Sequence, residues 1–217
     1  MVRLTELVVS GTPAAWRAIG LNVNRSVGIV ADVVITIHHN ENSALSCSFS
    51  EEEISDTQPV IDSIDGAPMR LHHSSGKEMI SSFAKTNSSD GIAFIGIDHL
   101  VITTDDLGRT SAALEHALGV PCARTRDAGH SVTQAFHKLD NTIVELVAGP
   151  HVKHTGAKWW GFVLVVEDID RWWKEVGESV ATPPRDAIQH GRKISTIHSS
   201  VGLGVAVAVM SPHVRAN

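Results

Sequence analysis

The sequence predicts an α+β protein in which one β-α-β-β-β unit occurs twice in tandem. Three observations support this fold class. A strand rich in β-branched residues, followed by acidic residues and a helix, occurs at two places; two further strand candidates follow each helix; and an Arg-Asp-Ala tripeptide precedes each of these strand pairs. Residues 94–150 and 158–212 therefore look like two copies of one unit, and each copy closes on a proline.

Within each copy the elements follow one another at the same spacing. The acidic side chains between strand and helix suit a helix N-terminus, and apolar residues then recur at helical spacing. The elements predicted for the first copy are a strand over 97–104, a helix over 108–118 that ends at Gly119, and strands over 132–139 and 142–147. Those predicted for the second copy are a strand over 160–166, a helix over about 171–180, and strands over 193–198 and 205–210.

The N-terminal part of the chain repeats this pattern more faintly. Thr12 and Pro13 suit the N-cap and the first position of a short helix over residues 13–19. The other elements predicted here are strands over 3–9, 27–33, 34–38, 44–50 and 69–73, and one helical turn within 51–66. The predicted organisation is an abridged N-terminal module or module pair (1–76), a Ser-rich linker (77–93), and paired modules (94–150 and 158–212) with the ligand pocket within 94–217.

Composition excludes several classes of function. The net charge is −6 and no run of five basic residues occurs, which argues against binding to nucleic acid. No apolar run approaches 18 residues, and Glu6 comes too early for a signal peptide, so we expect neither a membrane segment nor export. Cys47 and Cys122 are isolated and far apart in the sequence, which fits a reducing compartment. A cytoplasmic location is the resulting expectation.

Three segments carry a family resemblance: Ile97-Asp98-His99-Leu100-Val101-Ile102 with Asp105-Asp106-Leu107, Asn141-Thr142-Ile143-Val144-Glu145-Leu146-Val147, and Phe162-Val163-Leu164-Val165-Val166-Glu167-Asp168-Ile169-Asp170. These segments, arranged in tandem β-α-β-β-β units, resemble the vicinal oxygen chelate superfamily of glyoxalase-like, bleomycin resistance-like and extradiol dioxygenase-like proteins. The chain as a whole is similar to an actinobacterial-type group of that superfamily. The resemblance covers about 120 residues well and the N-terminal 90 loosely. It implies that the paired modules form curved half-barrel sheets around a ligand site.

The resemblance also implies where a metal would bind, because ligands in that superfamily come from the first and last strands of each module. In the first module these positions fall on His99 and Glu145. In the second they fall on Gly161 and Ala208, whose side chains cannot bind metal. Half of the expected site is therefore missing. A divalent ion (Mn, Fe, Ni or Zn) is the candidate cofactor, and chemistry without any cofactor is the alternative.

The same two residues can act without a metal. A His and a carboxylate that face one pocket can serve as base and orienting partner. An ionised Glu145 on an apolar strand is costly unless it has a partner, so we expect its side chain within about 8 Å of His99 and on the same face of the sheet.

The expected function is an enzyme of lyase, isomerase or hydrolase type that acts on a small organic metabolite through His99 and Glu145. The alternative is a metal-free protein that binds or sequesters a small molecule, as drug-resistance members of the superfamily do. A third possibility is a structural or regulatory domain without a ligand. The partner is thus a small organic molecule, and the chain is a monomer or a homodimer.

Four further residues are ligand-binding candidates. Gln134 can present an amide to the pocket, and Arg192 can receive a carboxylate or phosphate in a bidentate manner. His137 and His198 lie on predicted strands, and either could complete a metal site. Their direction is open, since a one-residue shift in register moves a side chain to the other face of the sheet.

Overall fold

The computed structural model describes residues 1–39, 45–51, 62–73 and 93–213. Within these ranges the chain forms two mixed β-sheets with a small number of helices, so the predicted α+β class is confirmed. Nearly all of the predicted linker (77–93) and most of the predicted helical turn (51–66) lie outside the described residues. None of the described helices is long and apolar enough to cross a membrane.

The first sheet contains seven described strands, in the order β2-β3-β4-β1-β5-β7-β6. Their bounds are β1 (Val2–Ser10), β2 (Val23–Asn24), β3 (Val27–Val30), β4 (Val33–His38), β5 (Ser46–Glu51), β6 (Ser63–Ile64) and β7 (Ala67–His73). Helix α1 (Pro13–Ala18) follows β1 and completes one β-α-β-β-β unit, β1 to β4. Strands β5 to β7 complete the sheet, with β5 and β7 parallel, and an abridged N-terminal module stays a prediction.

The second sheet contains eight described strands, in the order β13-β14-β15-β12-β8-β11-β10-β9. Their bounds are β8 (Phe94–Thr104), β9 (Cys122–Gly129), β10 (Val132–Lys138), β11 (Ile143–Ala148), β12 (Ala157–Val166), β13 (Arg185–Asp186), β14 (Lys193–Thr196) and β15 (Ala206–Met210). Helices α2 (Leu107–Leu118) and α3 (Ile169–Val176) follow β8 and β12. Each copy places its first strand beside its last, so the tandem β-α-β-β-β prediction is confirmed.

The two helices of the second sheet start in the same way. The side chains of Asp106 and Asp168 each accept a hydrogen bond from the backbone N–H three residues later, at 2.9 Å. These acidic N-caps satisfy donors that the first helical turn leaves unpaired. Gly119, with φ of 63°, ends α2 where the sequence predicts. The end predicted for α3 is wrong, because Gly177 stops the helix after Val176.

Contacts divide the chain into two compact units. The first comprises residues 1–7, 44–77 and 99–161. In it, the backbone of Leu4 bonds both ways to the Asn141 amide, which donates at 2.8 Å and accepts at 2.9 Å. Trp159 packs against Phe49 with ring centroids 6.4 Å apart and donates to the Pro68 carbonyl at 2.6 Å. Long-range contacts of this kind bury the apolar faces of the strands that belong to this unit.

The second unit comprises residues 8–43, 78–98 and 162–217. Its core contains two fully buried tryptophans. Trp16 of α1 stacks on Phe162 with centroids 6.1 Å apart and an interplanar angle of 3°. Trp172 of α3 donates from its indole nitrogen to the Ile19 carbonyl at 2.8 Å. Both side chains combine apolar burial with a satisfied N–H donor, as buried tryptophans require.

A carboxylate anchors α2 in the first unit. Asp65, in the turn between β6 and β7, accepts from Arg109 Nε at 2.9 Å and from the buried Thr110 hydroxyl at 2.5 Å. The hydrogen bond from Arg109 lowers the pKa of Asp65, with a further contribution from Thr110. The charged form of Asp65 is therefore favoured by folding.

We expect Asp65→Asn to lower the free energy of unfolding by about 1–2 kcal/mol near pH 7, since a charge-assisted pair is lost. A depressed carboxyl pKa contributes stability above its unfolded value of about 3.9, and this stability disappears as the pH falls through the folded pKa. The difference in free energy of unfolding between wild type and variant should thus have its full size at pH 6 and become smaller below about pH 4. Urea titrations over this range measure it. Asp170→Asn, which removes an exposed pair with Lys193, is the control and should have little effect.

Candidate active site

Several polar residues of the first copy lie on one face of the second sheet. Strands β11 and β8 are parallel with Ile143 opposite His99, and β10 pairs with β11 so that Phe136 lies opposite Glu145. Alternation along each strand places one set of side chains against α2, and these are buried: Leu100, Ile102, Ala135, Val144 and Leu146. The opposite set, which carries His99, Gln134, Phe136 and Glu145, defines what we call the His99 face.

His99 and Glu145 meet on this face. The distance between His99 Nε2 and Glu145 Oε2 is 3.4 Å, and the side chains are 15% and 12% exposed. The strands are neighbours, and the two residues are diagonal partners in register, which explains the contact. The two candidate catalytic residues thus lie within reach of each other on one face of the sheet, although 46 positions separate them in the sequence.

A chain of side chains extends from Glu145 across the sheet. Gln134 donates from Nε2 to Glu145 Oε1, and its Oε1 accepts from Arg126 Nε at 2.8 Å and from Arg126 Nη2. Because a guanidinium has only donors, the Gln134 oxygen must face Arg126 and the amide nitrogen must face the carboxylate. Gln134, Arg126 and Glu145 therefore form an oriented network that fixes the carboxylate from the side away from His99.

Aromatic and cationic groups lie next to this network. The guanidinium carbons of Arg124 and Arg126 are 4.8 and 5.8 Å from the centre of the Phe136 ring. Strand β9 pairs with β10 so that Arg124 is opposite Phe136 and Arg126 is opposite Gln134. Both arginines therefore project from the outermost strand onto the His99 face.

A second histidine, His154 in the segment between β11 and β12, lies beside the end of β8. His154 Nε2 is 3.1 Å from the hydroxyl of Thr103, which shares the His99 face by alternation. His154 Nδ1 is buried and has no hydrogen-bond partner among the described residues. Buried polar atoms are normally paired, so this nitrogen is available to an acceptor, a donor or a water molecule.

His137 does not share the His99 face. It lies three positions after Gln134 on the same strand and so points to the opposite side. There it is fully buried, with Nε2 3.0 Å from Ser111 of α2 and Nδ1 2.9 Å from the Val120 carbonyl. Both ring nitrogens therefore join β10 to the helix segment, and ligand binding by His137 stays a prediction.

Arg192 and His198 belong to the second unit. The Arg192 side chain is 1% exposed; its Nη1 lies 2.6 Å from Asp98, and its Nε donates to the Ser211 carbonyl at 2.9 Å. His198 Nε2 lies 3.1 Å from the Glu178 carbonyl. Protein groups therefore occupy much of the bonding capacity of both side chains. This arrangement favours a structural role for Arg192 and His198, and ligand binding by them stays a prediction.

The described residues around the pair do not fit a divalent metal ion. Only His99 and Glu145 offer ligand atoms there, and the corresponding positions of the second copy, Gly161 and Ala208, offer none. Throughout residues 1–39, 45–51, 62–73 and 93–213, no group of three or more His, Cys, Asp or Glu side chains is arranged to hold a metal. Gln134 also turns its NH₂ group, not its oxygen, toward the carboxylate. Acid/base chemistry at this pair requires no metal.

Several residues of this site were not anticipated from the sequence: Arg124, Arg126, Phe136, Thr103 and His154. The sequence contained a signal for three of them, Arg124, Arg126 and Phe136. Positions 124 and 126, like 134 and 136, are two apart and so share a face if both segments are strands. Strand β9 has few apolar side chains and was not identified, and without it the arginines had no assigned neighbours.

Comparisons with known proteins identify the family of this domain. Residues 96–194 match the family model of the Glyoxalase/Bleomycin resistance protein/Dioxygenase superfamily. A variant of methylmalonyl-CoA epimerase from Streptomyces coelicolor, in complex with 2-nitronate-propionyl-CoA, is 16% identical, with a TM-score of 0.48 over 56% of this chain and 100% of that chain. Methylmalonyl-CoA epimerase from Mycobacterium tuberculosis is 16% identical, with a TM-score of 0.48 over 60% of this chain and 96% of that chain.

A comparison with curated proteins gave no match. The family match nevertheless begins at the first strand that carries the resemblance and extends into the second copy, as far as β14. The family expected from the sequence is thereby confirmed: residues 96–194 of this chain form a domain of the glyoxalase/bleomycin resistance protein/dioxygenase superfamily.

Proposed function

We propose that this protein is an enzyme that transfers a proton on a small organic metabolite, with His99 and Glu145 as its acid/base pair. The observation that carries the proposal is the 3.4 Å contact between the two side chains on one largely buried face. A His–carboxylate pair can accept a proton from a substrate and return it, because the charge that develops on one partner is stabilised by the other. The reaction is of isomerase or lyase type.

The supporting residues add to this proposal. Gln134 and Arg126 hold Glu145 from one side, so the carboxylate keeps a fixed direction toward His99. Fixed geometry of this kind is what proton transfer requires, since rates fall steeply when the reacting groups are displaced. A proton on the carbon next to a carbonyl group suits such a pair, because carbonyl conjugation stabilises the carbanion that its removal leaves.

A protein that only sequesters a ligand would not need this arrangement. Burying an ionisable pair and its amide partner costs free energy that an apolar pocket avoids. The His–Glu–Gln–Arg network therefore favours the enzyme over the binding protein. A proton-exchange experiment distinguishes the two functions, because a sequestering protein would bind its ligand without exchanging the ligand's protons.

We expect the protein to exchange C–H protons for deuterium in a panel of small carbonyl acids in D₂O, followed by proton NMR. His99→Ala should lower the exchange rate of the active compound by about 10²–10⁴-fold, the usual contribution of a positioned acid/base group. His116→Ala is the matched control, since His116 is exposed on α2 at the opposite face of the sheet. Chelation with EDTA should leave the rate unchanged.

Three results would contradict the proposal. Equal exchange by wild type and His99→Ala would remove His99 from the chemistry. Thermal stabilisation by a panel compound without exchange of its protons would point to the sequestering protein instead. A stoichiometric metal whose removal abolishes exchange would rule out the metal-free chemistry.

A further inference from the structure

We propose that Arg124 and Arg126, held on Phe136, bind an anionic group of the substrate, and that the substrate is therefore a small organic anion with a carboxylate or phosphate group. The proposal deepens the proposed function, because it places the anionic group beside the pair that would carry out proton transfer. Binding of an anion can be measured without turnover, so the two proposals can fail separately.

The His99 face has an excess of positive charge. Among the described residues of β9, β10, β11 and the part of β8 from His99 to Thr103, this face presents three cations, Arg124, Arg126 and Lys138, and one carboxylate, Glu145. The chain as a whole has a net charge of −6, so this local excess of positive charge runs against its composition. Cations gathered on one face raise the local concentration of anionic ligands.

The guanidinium of Arg124 is open to an incoming anion. Within the described parts of the chain, its guanidinium has no carboxylate partner, and its side-chain contact is the Phe136 ring at 4.8 Å. A guanidinium that stacks on an aromatic ring keeps its planar N–H donors directed outward. Arg124 is exposed, so these donors reach solvent and are open to an incoming oxyanion.

Arg126 has a different position in the same site. Its Nε and Nη2 donate to Gln134 Oε1, and its guanidinium carbon also lies 5.8 Å from the Phe136 ring. This links the arginine group to Glu145 through one amide. An oxyanion held by both arginines would therefore sit next to the acid/base pair, and planar donor forks suit carboxylate and phosphate oxygens.

The strand spacing limits the size of the substrate. Strand β9 is two strands away from β11, which corresponds to about 10 Å between backbones. Arginine side chains span much of this distance. The anionic group and the reacting carbon of the substrate are therefore separated by a few bonds, as in a small carbonyl acid or a phosphorylated metabolite.

The experiment measures binding of two probes, benzoate and inorganic phosphate, to the full chain by isothermal titration at low ionic strength. We expect one of them to bind in the millimolar range or tighter, and Arg124→Gln to weaken it at least tenfold. Arg185→Gln is the matched control, since Arg185 opens the same Arg-Asp-Ala tripeptide on the other outermost strand and is also exposed. It should leave the dissociation constant unchanged.

The outcomes separate the possibilities. Benzoate binding that depends on Arg124 assigns the site to carboxylates, and phosphate binding that depends on it assigns the site to phosphorylated compounds. Binding of neither probe, or binding that Arg124→Gln and Arg126→Lys leave unchanged, would overturn the proposal and leave the arginines as charges that protect an edge strand. His99→Ala should bind the probe like wild type, so loss of catalysis alone does not count against the anion site.

Discussion

Replacing Trp172 by alanine is expected to lower the free energy of unfolding by about 3–5 kcal/mol, the usual cost of deleting a buried tryptophan. Trp172 is fully buried in the second unit, and its indole nitrogen donates to the Ile19 carbonyl at 2.8 Å. The substitution both opens a cavity beneath α3 and leaves that carbonyl unpaired. Urea or thermal unfolding followed by circular dichroism measures the change.

Two further variants make this prediction sharper. Trp172→Phe keeps most of the apolar volume but removes the N–H donor, so we expect a smaller loss of about 1–3 kcal/mol even if the alanine variant does not fold. Trp160→Ala is the control, because the Trp160 side chain is 57% exposed and its removal should change stability by less than about 0.5 kcal/mol. A loss below 1 kcal/mol for Trp172→Ala would mean that the packing around α3 differs from this structure.

The second large effect concerns Glu145. Glu145→Gln keeps the size of the side chain but removes its charge and its capacity to accept a proton. We expect the rate of proton exchange on the active substrate to fall by about 10²–10⁴-fold. The fold should persist, because a buried charge and its desolvation cost are removed together. Exchange rates by NMR and unfolding curves, measured on the same preparations, test both statements.

Gln134 should behave as a positioning residue. Gln134→Ala leaves Glu145 and His99 in place but frees the carboxylate from its amide donor, so we expect kcat to fall by about tenfold with little change in KM.

Glu115→Gln, an exposed change on α2, is the matched control for Glu145→Gln, because it also replaces a carboxylate by an amide. An unchanged exchange rate in Glu145→Gln would refute the acid/base pair, whatever the effect of Gln134→Ala.

The sequence predicted the repeated unit well because its signals are local. Asp106 and Asp168 mark helix starts whose capping bonds form within three residues of the cap, and a similar apolar strand precedes each of them. His99 and Glu145 were selected through the resemblance to the superfamily, which puts ligands on the first and last strands of a module, and not from any contact. The direction of His137, which the sequence left open, is opposite to that of Gln134, because residues three apart on one strand face opposite sides of the sheet.

What only the tertiary structure decided is which strands lie side by side. Strand β9 is mostly exposed and has no apolar pattern; it forms because β10 offers a free edge, and its register shifts at two points. That pairing sets Arg124 and Arg126 on Phe136 and Gln134, a relation between segments that no local pattern encodes. Arg192 is similar, because its partner Asp98 lies 94 residues earlier. The sequence alone determined most of the elements and their order, because caps and periodicity act over a few residues. The neighbours of each side chain depended on register, which forms only when distant segments pack.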